Sequence, residues 1–84
     1  MDKLNNIQAF LDGSRGQLTI GEIPPLRRAA MAAEGKHPRV ALVGRDKERV
    51  TELLQRLDAG LGKYLKDGTT TDEVLPEIKR LRET

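Results

Sequence analysis

The side chains that most often carry chemistry are scarce in this chain. It has no cysteine, and His37 is its only histidine and Ser14 its only serine. A thiolate nucleophile, a disulfide and a Cys- or His-rich metal centre are therefore excluded. His37 stands between Lys36 and Pro38, in a stretch that reads as a surface turn with few acids nearby to orient an imidazole. Ser14, between Gly13 and Arg15, reads as turn chemistry. Glu73 and Glu77 share a helix face by spacing, but like-charged pairs are commonplace on exposed helices, so acid–base work does not follow from them. These residues point away from an enzyme and away from any cofactor or metal.

What remains is a concentration of cations. Between residues 27 and 49 stand Arg27, Arg28, Lys36, Arg39, Arg45, Lys47 and Arg49, interrupted only by Glu34, Asp46 and Glu48. The formal net charge of the chain is +2, yet this segment alone carries +4 and each flank carries −1. Arg27, Arg28, Arg39, Arg45, Lys47 and Arg49 are the candidates for contact with nucleic acid, where each can neutralise a phosphate and make binding steeply salt-dependent. The competing reading is a solvated face whose interspersed acids already balance it.

A second candidate surface is apolar. Over residues 46–66, Val50, Leu54, Leu57, Leu61 and Tyr64 recur at alternating spacings of four and three, and Leu53 and Leu65 widen the stripe. Glu48, Glu52, Gln55, Ala59 and Lys63 occupy the opposite, wet face. Asp46 is placed to cap this helix, and Glu52 precedes Arg56 at ion-pair spacing. Gly60 and Gly62 each cost a helix interior about 1 kcal/mol, so the helix is open to ending near Ala59 with Gly60 as its cap. The stripe serves either as an interface with a partner, another copy included, or as packing against the chain's own helices. A coiled coil needs more heptads than this segment holds.

The other elements follow from local signals. Residues 2–11 read as a short amphipathic helix with Leu4, Ile7 and Leu11 on one face, Phe10 beside it, Asp2 as its cap and Gly13 as its end. Residues 17–23 are ambiguous. Thr19 and Glu22 have capping-box spacing, while Leu18 and Ile20 alternate as in a strand. Pro24-Pro25 suits a helix start, and residues 25–34, rich in alanine, are read as a helix closed by Gly35. Residues 39–44, RVALVG, are the best strand candidate, with a helix running on from Pro38 as the alternative. Thr70 and Glu73 have capping-box spacing before a last helix with Val74, Leu75, Ile78 and Leu81 on its apolar face.

Three short resemblances accompany these elements. Residues 40–57, VALVGRDKERVTELLQRL, are similar to the second strand and helix of short-chain dehydrogenases, where an Arg after the strand meets a cofactor phosphate. The glycine-rich turn and the catalytic Tyr and Lys of that family are missing, so no activity carries over. RVALVG is also similar to the first strand of GTPases, but no Gly-Lys-Ser/Thr follows Gly44. LTIGEI, residues 18–23, resembles the opening of MerR-type helix-turn-helix regulators, which implies a DNA-binding winged helix; the match is six residues long, and Pro24-Pro25 interrupts where the first helix of that family runs.

With 84 residues, one domain spanning 1–84 is expected. Its fold class is read as mainly α, three to four helices around the amphipathic central helix, with room for one short β pair between about 17–20 and 39–43. A core this small is marginal, and with no disulfide to help, self-association is the expected remedy. No apolar run approaches a membrane span and no signal-peptide core is evident, so a cytoplasmic location is expected. The first functional reading is a non-enzymatic interaction module (an adaptor, regulator or inhibitor) that binds a protein partner or itself through Val50, Leu54, Leu57, Leu61 and Tyr64. The second is a small dimeric DNA-binding regulator that uses the basic segment 27–49.

Overall fold

Leu26–Glu34, the alanine-rich segment that propensity assigns to a helix, is an inner strand of a four-stranded sheet. The computed structural model describes residues 4–13 and 15–83. The elements run α1 (Asn5–Asp12), β1 (Gly16–Ile23), β2 (Leu26–Glu34), β3 (His37–Val43), α2 (Val50–Asp67), β4 (Thr71–Asp72) and α3 (Val74–Arg82). Strands β1, β2 and β3 form an antiparallel meander, and the two-residue β4 adds to β3 in parallel after α2 crosses over. The chain is thus α+β with a mixed sheet, and the expectation of a mainly helical domain is corrected.

The expected strand pair is corrected too. Residues 17–20 and 39–43 both lie in strands, but they flank β2 instead of pairing with each other. Pro24-Pro25, read as a helix entry, is the turn of the β1–β2 hairpin, with a cis bond between the two prolines. No helix follows Ile23, so the winged-helix opening implied by LTIGEI is absent. The strand of RVALVG is real, and it leads through a loop into α2.

The alternation of the strands sorts the side chains onto two faces. On one face, Ala30, Ala32, Val40 and Leu42 pack with Ile7 and Phe10 of α1 and with Leu53, Leu57 and Leu61 of α2. On the other, Leu26, Ala29 and Ala41 pack with Val74 of α3, and Met31, Val43 and Ile78 border them. Small side chains on the inner strand β2 let helices lie close on both sides. Ala29, Ala30 and Ala32 are fully buried, and a strand hydrogen-bonded on both edges and covered on both faces outweighs the modest helix preference of alanine.

Helix α2 keeps Leu57 and Leu61 of its expected face, adds Leu53 and leaves Val50 exposed, and its ends are not the expected ones. Asp46 is not its cap. Arg49 holds that position, and its backbone N–H donates to the Glu52 carboxylate at 3.0 Å, which takes Glu52 away from Arg56. The helix does not stop at Gly60. It runs to Asp67 and closes on Gly68, whose φ of 80° is a left-handed conformation that glycine adopts freely. The interior glycines are explained by contact. A Cβ on Gly60 would lie 2.9 Å from Val40 Cγ1, and one on Gly62 would lie 2.9 Å from the Asn6 side-chain nitrogen. Glycine is what lets α2 approach both β3 and α1.

The other helix starts are also held by residues the local pattern did not name. The Asp58 carboxylate, on α2, accepts from the Ile7 N–H at 2.8 Å and from Asn6 Nδ2 at 3.1 Å, capping α1 from across the core. Asp2, the expected cap, lies outside the described residues, as does Ser14. Asp72, not the Thr70–Glu73 pair, caps α3 by accepting from the N–H groups of Val74 and Leu75. Leu11 and Leu75, placed on helix faces by spacing, are exposed.

Candidate anionic-ligand cleft

The β3–α2 connection, Gly44 to Arg49, is shaped by one acid. The Glu48 carboxylate accepts the Arg45 backbone N–H at 2.9 Å, and the Glu48 N–H returns to the Arg45 carbonyl at 3.0 Å. Lys47 sits at the tip of this turn with φ 66°. Arg56, on α2, then locks Glu48 from below, Nε to Oε2 at 2.7 Å and Nη2 to Oε1 at 2.9 Å. The same guanidinium donates to the Val43 carbonyl at 2.8 Å and reaches both Glu73 oxygens at 3.3 Å. Glu73 in turn accepts the Val43 N–H at 3.0 Å. One arginine therefore ties the end of β3, the loop and the start of α3 together.

That network has an electrostatic consequence. The hydrogen bond from Arg56, assisted by the Arg45 amide, outweighs desolvation and holds the Glu48 carboxyl down to about 2. Glu77 is engaged separately by Arg80 at 2.7 and 2.8 Å, which also lowers its pKa. Two acids near the loop are thus neutralised by arginines that lie outside the cleft described next.

The cleft, of about 670 Å³, opens between the start of β2, the 44–49 loop and the end of α3. Arg27, Arg28, Arg45, Lys47 and Arg49 all line it, with Asp46, Glu48 and Glu77 as its acids. Between Leu26 and Ala29, β2 spends one residue more than the facing segment of β1, a bulge that accommodates Arg27 and Arg28 as consecutive exposed residues. Arg28 also donates to the Glu48 carbonyl at 2.9 Å, which fixes β2 against the loop. With Glu48 bound by Arg56 and Glu77 by Arg80, Asp46 is the acid left facing five cations. The arrangement can accept several anionic oxygens at once.

Five of the six basic candidates therefore meet at one place. Arg39 does not join them. It pairs with Glu34 at 2.8 Å and stacks over the Tyr64 ring, 5.3 Å from its centroid. Tyr64 donates its hydroxyl to Glu34, which lowers the Glu34 pKa and raises that of the phenol.

The apolar candidates divide. Leu57 and Leu61 are fully buried in the chain's own core, Leu54 and Tyr64 pack half-buried at its border, and Val50 is exposed. The helix stripe is mostly spent on the sheet and α1. Arg56 and Glu73, which organise the cleft, were missed by local reasoning because Arg56 sits at pair spacing from Glu52. Its real partners lie eight and seventeen residues away. Among the described residues no group of His, Cys, Asp and Glu is arranged to hold a metal, and no helix is long and apolar enough to cross a membrane. No protein-family model, curated protein or solved structure matches this chain.

Proposed function

We propose that this chain is a non-enzymatic nucleic-acid-binding module that neutralises backbone phosphates with Arg27, Arg28, Arg45, Lys47 and Arg49. The observation that carries the reading is the convergence of these five side chains, from two separate elements, around one cleft whose acids Glu48 and Glu77 are held in ion pairs. Recognition is by phosphate positioning, which is sequence-independent. The only two aromatic residues, Phe10 and Tyr64, pack edge-to-face with each other away from the cleft, so no ring is on hand to stack with an unpaired base. A duplex is accordingly the preferred form of ligand, and a regulator acting in the cytoplasm is the setting this suits.

The test is fluorescence anisotropy with a labelled 20-base-pair duplex and the matching single strand across a salt series. Binding should fall with salt with a log–log slope of about −4.5, as expected for five phosphate contacts. Combined Arg45→Glu, Lys47→Glu and Arg49→Glu substitutions should weaken binding by at least about tenfold. Absence of duplex binding at 50 mM salt, or indifference to the triple reversal, refutes the reading.

Binding of a protein partner is the second reading. What favours it is no longer the helix stripe, since Leu57 and Leu61 are interior. It is the open edge of the sheet.

A further inference from the structure

Strand β1 ends the sheet on one side. Its carbonyl at Arg15 accepts the Gly35 N–H at 3.2 Å, and the register pairs Gln17, Thr19 and Gly21 with Ala33, Met31 and Ala29. In an antiparallel ladder, residues alternate between those that bond the neighbour and those that face away. The odd residues of β1 therefore bond β2, and the N–H and C=O groups of Gly16, Leu18, Ile20 and Glu22 point to the open edge. Protected edges carry lysine, proline or a bulge of their own. β1 has neither lysine nor proline, and the extra residue of the nearby bulge belongs to β2. Its one charge is Glu22, in a chain that is 33% charged.

We propose that β1 pairs antiparallel with β1 of a second copy about a two-fold axis at Thr19, joining two sheets into one. This is the register in which all four outward residues find partners, Leu18 against Ile20 and Gly16 against Glu22, for about eight new backbone hydrogen bonds. It is also self-complementary in side chains. Leu18 and Ile20, partly and openly exposed, meet on the face that carries α1. Thr19 meets its own symmetry mate, a favourable cross-strand pair. Glu22 falls opposite Gly16 of the other copy, so no like charge meets it across the new pair. Assembly stops at two, because the opposite edge of the sheet is the two-residue β4. The basic cleft lies between the start of β2, the 44–49 loop and the end of α3, so the pairing leaves it open in both copies.

The absence of cysteine makes the test direct. Thr19→Cys and Gln17→Cys are prepared separately, with circular dichroism as the fold check, and mildly oxidised. Across the axis, two Thr19→Cys side chains face each other within disulfide reach, whereas two Gln17→Cys side chains lie about 13 Å apart. The expected results are a dimer by sedimentation equilibrium at micromolar concentration, efficient cross-linking of Thr19→Cys, little of Gln17→Cys, and at least a tenfold weaker dimer for Ile20→Lys. A protein that stays monomeric up to 100 μM overturns the proposal. So does a dimer in which Thr19→Cys fails to cross-link, or one in which Gln17→Cys cross-links instead. None of these readouts uses nucleic acid, so the outcome is independent of the cleft.

Discussion

Arg56 grips Glu48 with two parallel hydrogen bonds, at 2.7 and 2.9 Å, across the eight residues that separate the body of α2 from the loop before it. The Glu48 side chain is 8% exposed, and the guanidinium that holds it is itself anchored to the Val43 carbonyl. The pair fixes the loop that carries Arg45, Lys47 and Arg49, so stability and the shape of the cleft are coupled through it.

The coupling is visible in pH. The Glu48 carboxyl has an ordinary value of 4.5 and is held at about 2 in the folded protein. A depressed carboxylate stabilises fully above its unfolded pKa, and that contribution is lost as pH falls through the folded value. Between pH 4.5 and 2 the native protein should therefore lose on the order of 2 kcal/mol through this contact. Glu48→Gln should lack that part of the slope. Urea unfolding midpoints measured for both at pH 5, 4, 3 and 2.5 check this, and parallel curves would mean that the grip does not form.

Gly60→Ala should destabilise the fold, although alanine is the better helix former by about 1 kcal/mol. The added methyl would meet Cγ1 of the fully buried Val40 at 2.9 Å, between α2 and β3. A loss of about 1–3 kcal/mol is expected from overpacking. Val40→Ala in the same chain should recover part of it, and a double-mutant cycle reads the coupling.

Asp58→Ala removes the acceptor that caps α1 from α2. The expected cost is about 1–2 kcal/mol. It should appear as faster amide exchange at Ile7 and Gln8, with the sheet amides unaffected. Uniform acceleration throughout would show that the contact is global instead of local.

Arg39→Glu separates the cleft from net charge. Arg39 is committed to Glu34 and Tyr64, away from the cleft. Its reversal changes the formal charge as much as Arg45→Glu does. Duplex affinity should fall several-fold more for Arg45→Glu than for Arg39→Glu. Equal losses would indicate attraction by the overall field, not a site.

Much of the local order was legible in the chain. The spacing of Val50, Leu54, Leu57, Leu61 and Tyr64 identified an amphipathic helix, of which Leu57 and Leu61 are buried while the inward face is centred nearer Leu53. RVALVG was legible as the best strand candidate, with a helix from Pro38 left as the alternative that the fold removes, and residues 27–49 were legible as the basic part of the chain. The absence of cysteine excluded thiolate and disulfide chemistry.

Tertiary structure decided the rest. Residues 26–34 look helical because alanine favours helices by fractions of a kilocalorie per residue, and the chain by itself does not reveal two neighbouring strands that supply hydrogen bonds on both edges. Gly60 looked like an end because its cost is local while its benefit, room for Val40, is not. Arg56 looked bound to Glu52 because neighbours four residues apart are all that a linear pattern can pair, whereas Glu48 and Glu73 reach it only once α2 and α3 are folded against β3. The sequence by itself determined which residues are apolar, which are charged and which repeat. Only the fold determined which of them meet, because long-range contacts depend on the closure of the whole chain and not on spacing along it.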